Sequence, residues 1–118
     1  MGMVPKVALI NGEKKVDIHN YETALKSTYR RLETAKINEQ NRNDIREFGR
    51  LAESMGLNKG RVSKFVYSMT TLARQANKPF REMTRKDAES LMIWLNDNPT
   101  YSPATKSDMK KIFKRFMK

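Results

Sequence analysis

Two sets of side chains stand out by type and spacing. Lys106, Lys110 and Lys114 recur every fourth residue, while Arg61, Lys64, Ser68 and Thr71 step by three, four and three. On a helix each series lines one face. Such faces neutralise a polyanion through its phosphates. Each series follows a polar stretch suited to opening a helix, Asn58-Lys59-Gly60-Arg61 and Ser102-Pro103-Ala104-Thr105-Lys106. Short polar side chains at a helix N-terminus suit phosphate oxygens, and lysine reaches phosphate or guanine. The candidate binding residues are therefore Asn58, Lys59, Arg61, Lys64, Ser102, Thr105, Lys106, Lys110 and Lys114.

Composition narrows the chemistry further. The chain has 118 residues, with 24 Lys+Arg against 13 Asp+Glu, a net charge of +11. It has no cysteine and one histidine, His19. Thiol nucleophiles, disulfides and Cys- or His-rich metal sites are excluded, and no cofactor is expected. The longest apolar run, Leu91–Leu95, is far too short to span a membrane. No secretory signal opens the chain, so a cytoplasmic protein is expected. The length fits one domain.

Helix punctuation supplies the elements. A helix is predicted from about Tyr21 to Lys36, capped by Asn20, with Tyr21, Leu25, Tyr29 and Leu32 on one side. A second runs from Glu39 to Met55 after Asn38, with an apolar stripe of Ile45, Phe48, Leu51, Ala52 and Met55, and stops at Gly56. A third runs from Lys59 to Ala76 after Asn58, with Val62, Phe65, Val66, Met69, Leu72 and Ala73 inward. Phe80 and Met83 anchor a linker. Thr84 and Asp87 form a capping box for a fourth helix reaching Asn96. Ser102-Pro103 opens a fifth, with Met109, Ile112, Phe113 and Phe116 inward. No stop signal follows it, so further protein is expected beyond Lys118. Residues 1–20 are read as an N-terminal arm. Two readings stay open there: a small hairpin around Asn11-Gly12, or a flexible arm.

Charge is unevenly spread. Residues 57–81 hold six cations and no acid, and residues 98–118 hold six cations against Asp108. Residues 38–56 and 82–97 each carry a small acidic excess. Basic faces also serve as plain solvated surfaces. Solvated faces usually mix signs, however, and the third and fifth helices are acid-poor. Most of the aromatic residues fall on inward stripes, so a stacking platform for RNA is not expected. Duplex DNA, whose major groove admits a helix, is the expected partner.

From Asn58 onward the order of motifs resembles the N-terminal core-binding, SAM-like domain of tyrosine recombinases, the phage-type integrases. A basic helix leads to Met83-Thr84, then Thr-Arg-Lys-Asp-Ala-Glu, then Tyr101-Ser-Pro-Ala-Thr105 opening a Lys/Arg-rich helix that ends Phe-Lys-Arg-Phe. The stretches Ile37-Asn-Glu-Gln-Asn-Arg and Gly56-Leu-Asn-Lys-Gly-Arg-Val62 are similar to archaeal members. The resemblance covers residues 21–118. It implies an all-α bundle of four to five helices forming half of a clamp around duplex DNA. It also implies that strand cleavage belongs to a separate C-terminal catalytic domain, which would be a partner of this one within the same chain.

The catalytic constellation of that family is not found among Tyr21, Tyr29, Tyr67 and Tyr101, none of which has a His-x-x-Arg nearby. The chain is therefore expected to be non-catalytic, DNA-associated and monomeric in isolation. Two other readings remain: an RNA- or ribosome-associated basic bundle, and a protein-interaction module with an acidic partner.

Overall fold

A computed structural model describes the backbone of residues 9–117 and the side chains of residues 21–117. Five α-helices follow in order: α1 (Leu9–Thr34), α2 (Glu39–Ser54), α3 (Lys59–Gln75), α4 (Arg85–Asp97) and α5 (Pro103–Phe116). A single 3-10 turn, Phe80–Glu82, precedes α4. No strand occurs among the described residues, so the domain is an all-α bundle.

The largest correction concerns the N-terminal segment. Residues 9–20 are helical and continuous with the predicted first helix, so Asn20 lies inside α1 instead of capping it. The Asn11-Gly12 pair makes no turn. A lone hairpin lacks a third strand to bury its face, whereas Leu, Glu and Lys near the pair are good helix formers. Residues 1–8, including Val7 and Ala8 of the expected hairpin and much of the expected arm, lie outside the described residues.

The other starts follow their caps. Asn38 accepts from the amides of Gln40 and Asn41, Asn58 from Arg61, and Ser102 from Thr105. Thr84 and Asp87 close the capping box in both directions. At the end of α2, Gly56 adopts φ +85°, a left-handed conformation that favours glycine. The Leu57 amide then bonds Ala52 O and the Gly56 amide bonds Glu53 O, a Schellman closure.

Helix α3 is the central element, with α1, α2 and α5 packed around it. Leu25, Thr28 and Leu32 of α1 and Ile45, Gly49 and Ala52 of α2 are buried. The five phenylalanines of the chain form one connected cluster. Phe48 stacks on Phe65 at 5.6 Å, and Phe116 meets Phe48 at 5.0 Å and Phe80 at 5.3 Å. Phe113 reaches Phe80 at 6.1 Å. Phe80, 1% exposed, is the keystone that the linker inserts. It is held by Asn41, which is fully buried: the Phe80 amide donates to Asn41 Oδ1 at 2.7 Å, and Asn41 Nδ2 donates to Lys78 O at 3.2 Å.

Arg42, another buried polar side chain, donates to the carbonyls of Leu32 and Ala35 and to Glu39 Oε1. It thereby neutralises the carboxyl end of α1, where the helix dipole favours a cation.

Two expectations on the helix faces change. Leu51 and Met55 are 57% and 60% exposed, so the apolar stripe of α2 is only part core. Ser68 and Thr71 are buried, because α3 is covered on several sides in its second half. The outward basic face of α3 therefore ends at Lys64.

Candidate nucleic-acid interface

Helices α3 and α5 run antiparallel. Lys64, early in α3, meets Asp108 in the middle of α5, with Nζ to Oδ2 at 2.6 Å. Tyr101, just before α5, lies beside Tyr67 and Thr71 later in α3. Arg61 shares a cleft with Lys111 and Arg115. The two helix N-termini that carry the candidate residues therefore lie at opposite ends of the pair. Asn58, Lys59, Arg61 and Lys64 are together, and Ser102, Thr105 and Lys106 are together, but the two groups do not form one edge.

The candidates also differ in how far they are already engaged. Asn58 and Ser102 spend their side-chain oxygens on capping. Thr105 Oγ1 accepts from Ser102 Oγ at 3.1 Å. Lys59 approaches Glu22 at 3.9 Å. Lys106 Nζ donates to Asn96 O at 2.7 Å and so caps the carboxyl end of α4. Arg61, Lys110 and Lys114 have no carboxylate partner among the described residues. Gly60 lies under the Tyr21 ring, where an added Cβ would stand 3.4 Å from Cε1, so its close approach is to the chain's own aromatic.

Two cations that the spacing did not single out join Arg61 and Lys64: Lys111 and Arg115. With a turn of about 3.6 residues, positions 108, 111 and 115 share one flank of α5, while 106, 110 and 114 share the other. The signal was present in the Lys110-Lys111 and Lys114-Arg115 doublets, since adjacent residues on a helix point about 100° apart. Only knowledge of the neighbour of α5 assigns each doublet member to a flank. The resulting cleft has Phe65 and Ile112 as an apolar floor and Arg61, Lys64, Lys111 and Arg115 as cationic walls, with Asp108 between them. The Arg115 guanidinium stands over the Phe65 ring at 5.8 Å from its centroid, a cation–π placement.

The electrostatics set this region apart. On α2, Arg42, Arg46 and Arg50 each meet a glutamate. On α5, Lys110, Lys111, Lys114 and Arg115 meet no carboxylate at ion-pair distance among the described residues. The Lys64 ammonium, helped by Lys111, holds the Asp108 carboxyl below the ordinary carboxylate range. Tyr101 and Tyr29 shift upward, both chiefly by burial. No group of three His, Asp or Glu side chains converges to hold a metal ion among the described residues. No described helix is long and apolar enough to cross a membrane.

No protein-family model matches the chain, and neither a curated protein nor a solved structure matches it.

Proposed function

We propose that this chain is a non-catalytic duplex-DNA-binding domain, the core-binding half of a tyrosine recombinase. The observation that carries the DNA reading is the pair of basic flanks on α5, which hold four cations against the single carboxylate of Asp108. Lys110 and Lys114 occupy one flank, and Lys111 and Arg115 occupy the other beside Arg61. A helix lying in the major groove has a phosphate backbone on each side, and cations on both flanks suit that position. Leaving neighbouring like charges unpaired costs stability, which a docked polyanion would return. The recombinase assignment rests on the order of motifs from Asn58 to Phe116.

Electrophoretic shift of a DNA duplex over a series of salt concentrations tests the reading. Affinity should fall linearly on logarithmic axes, by about 0.9 per phosphate contacted. No shift at low salt rejects it, and preference for structured RNA in competition favours the RNA-associated bundle. A protein-interaction module is the second reading favoured by a specific observation: Phe48, Leu51, Phe116 and Met117 line an open groove that Asp44, Glu47 and Arg81 edge with charge. That reading predicts no nucleic-acid shift.

A further inference from the structure

The cleft between α3 and α5 contains one acid among its cations, and that acid is already bound to one of them. Asp108 Oδ2 accepts from Lys64 Nζ at 2.6 Å, and the side chains are 41% and 53% exposed. An ion pair this open to water is weak, and a docking polyanion can reach both members. Lys111 lies on the same flank of α5, and its charge also favours the ionised carboxylate. Arg61 and Arg115 complete the cleft. A phosphodiester entering it meets three cations without a carboxylate at ion-pair distance, and a fourth that is held by Asp108.

Resting on the duplex-DNA reading above, we propose that Asp108 is an internal stand-in for a phosphate. In the free protein it holds Lys64 across the cleft; on DNA, Lys64 exchanges it for a backbone phosphate and the carboxylate passes to Lys111. The exchange keeps the free cleft from carrying four uncompensated cations. It also lowers affinity for any anion that does not fill the cleft well enough to displace the carboxylate.

A plain brace between α3 and α5 would behave differently, and two variants separate the cases. Asp108→Asn and Lys64→Gln both break the pair. If the pair only braces the helices, both variants move DNA binding in the same direction. If Asp108 competes with phosphate, they move it in opposite directions.

The measurement is fluorescence anisotropy of the full chain with a labelled mixed-sequence duplex over a salt series. Asp108→Asn should tighten binding about two- to fivefold, the strength of an exposed pair, with an unchanged salt slope. Asp108→Ser, which also removes the charge, should repeat the gain. Lys64→Gln should weaken binding and make the slope shallower by about 0.9, one phosphate contact. Parallel shifts, or an unchanged slope in Lys64→Gln, overturn the exchange while leaving DNA binding intact. A wild-type chain that binds no duplex at low salt overturns both this inference and the function it rests on.

Discussion

The hydroxyl of Tyr29 is buried against Gly49 without a hydrogen-bond partner. A Cβ at position 49 would stand 2.3 Å from the hydroxyl oxygen and 2.9 Å from a methyl of Val66. At this glycine, α2 therefore meets side chains of both α1 and α3. Gly49→Ala gains up to about 1 kcal/mol of helix propensity but overpacks this contact, which typically costs about 1–3 kcal/mol. A net loss in chemical denaturation is expected. Tyr29→Phe removes an unpaired buried hydroxyl and should stabilise by about 1 kcal/mol. In the double variant the loss from Gly49→Ala should shrink, a coupling that independent sites would not show.

Asn41 ties the linker to α2 through two hydrogen bonds, to the Phe80 amide and the Lys78 carbonyl. Asn41→Ala leaves both backbone groups without that partner. The expected loss is about 2–6 kcal/mol, from about 1–3 kcal/mol for each of the two unpaired groups. The loss should be accompanied by faster amide exchange at Phe80. Normal exchange there would show that Phe80 is held by its ring contacts alone.

Asp87 accepts from the Thr84 amide and from Lys78 Nζ, both at 2.9 Å. The Thr84 amide is the larger influence, Lys78 the next, and the carboxyl pKa falls to about 2. The unfolded chain titrates near 3.8, so between these values the unfolded state binds more protons. The contribution of Asp87 is present above about pH 4 and is lost as pH falls toward 2. Asp87→Asn should be less stable at neutral pH and lose less on acidification, as read by thermal unfolding over pH 2–7.

Lys106 and its neighbours one and two turns on should separate in their effects. Lys110→Ala and Lys114→Ala should each weaken DNA binding and reduce its salt slope by about 0.9, without lowering the melting temperature. Lys106→Ala should instead loosen the end of α4, because its ammonium is committed to Asn96 O. If Lys106→Ala has the same binding phenotype as Lys110→Ala, the capping contact does not persist on DNA.

Four helix starts are legible in the amino-acid order because capping is local. Asn38, Asn58, Thr84 and Ser102 each bond an amide two or three residues on. The core of α3 is legible for the same reason, since its apolar residues keep helical spacing. What spacing does not carry is the identity of the neighbour. Ser68 and Thr71 look outward on a helical wheel, yet α3 is enclosed on several sides and both are buried. Lys106, Lys110 and Lys114 form one stripe as predicted, but the antiparallel crossing sets Lys111 and Arg115 beside Arg61. The joining of α1 across Asn11-Gly12 depends on the balance between a lone hairpin and a longer helix, which local turn chemistry misjudges.

The phenylalanine cluster draws its rings from α2, α3, the linker and α5. Two of its five members arrive with the last helix, so a chain ending before Phe113 leaves Phe80 without either of its ring partners. Without α5 this ring cluster stays open, and contacts so distant along the chain slow folding. The strongly basic helix α5 is thus also the piece without which the ring cluster of α2, α3 and the linker is unfinished.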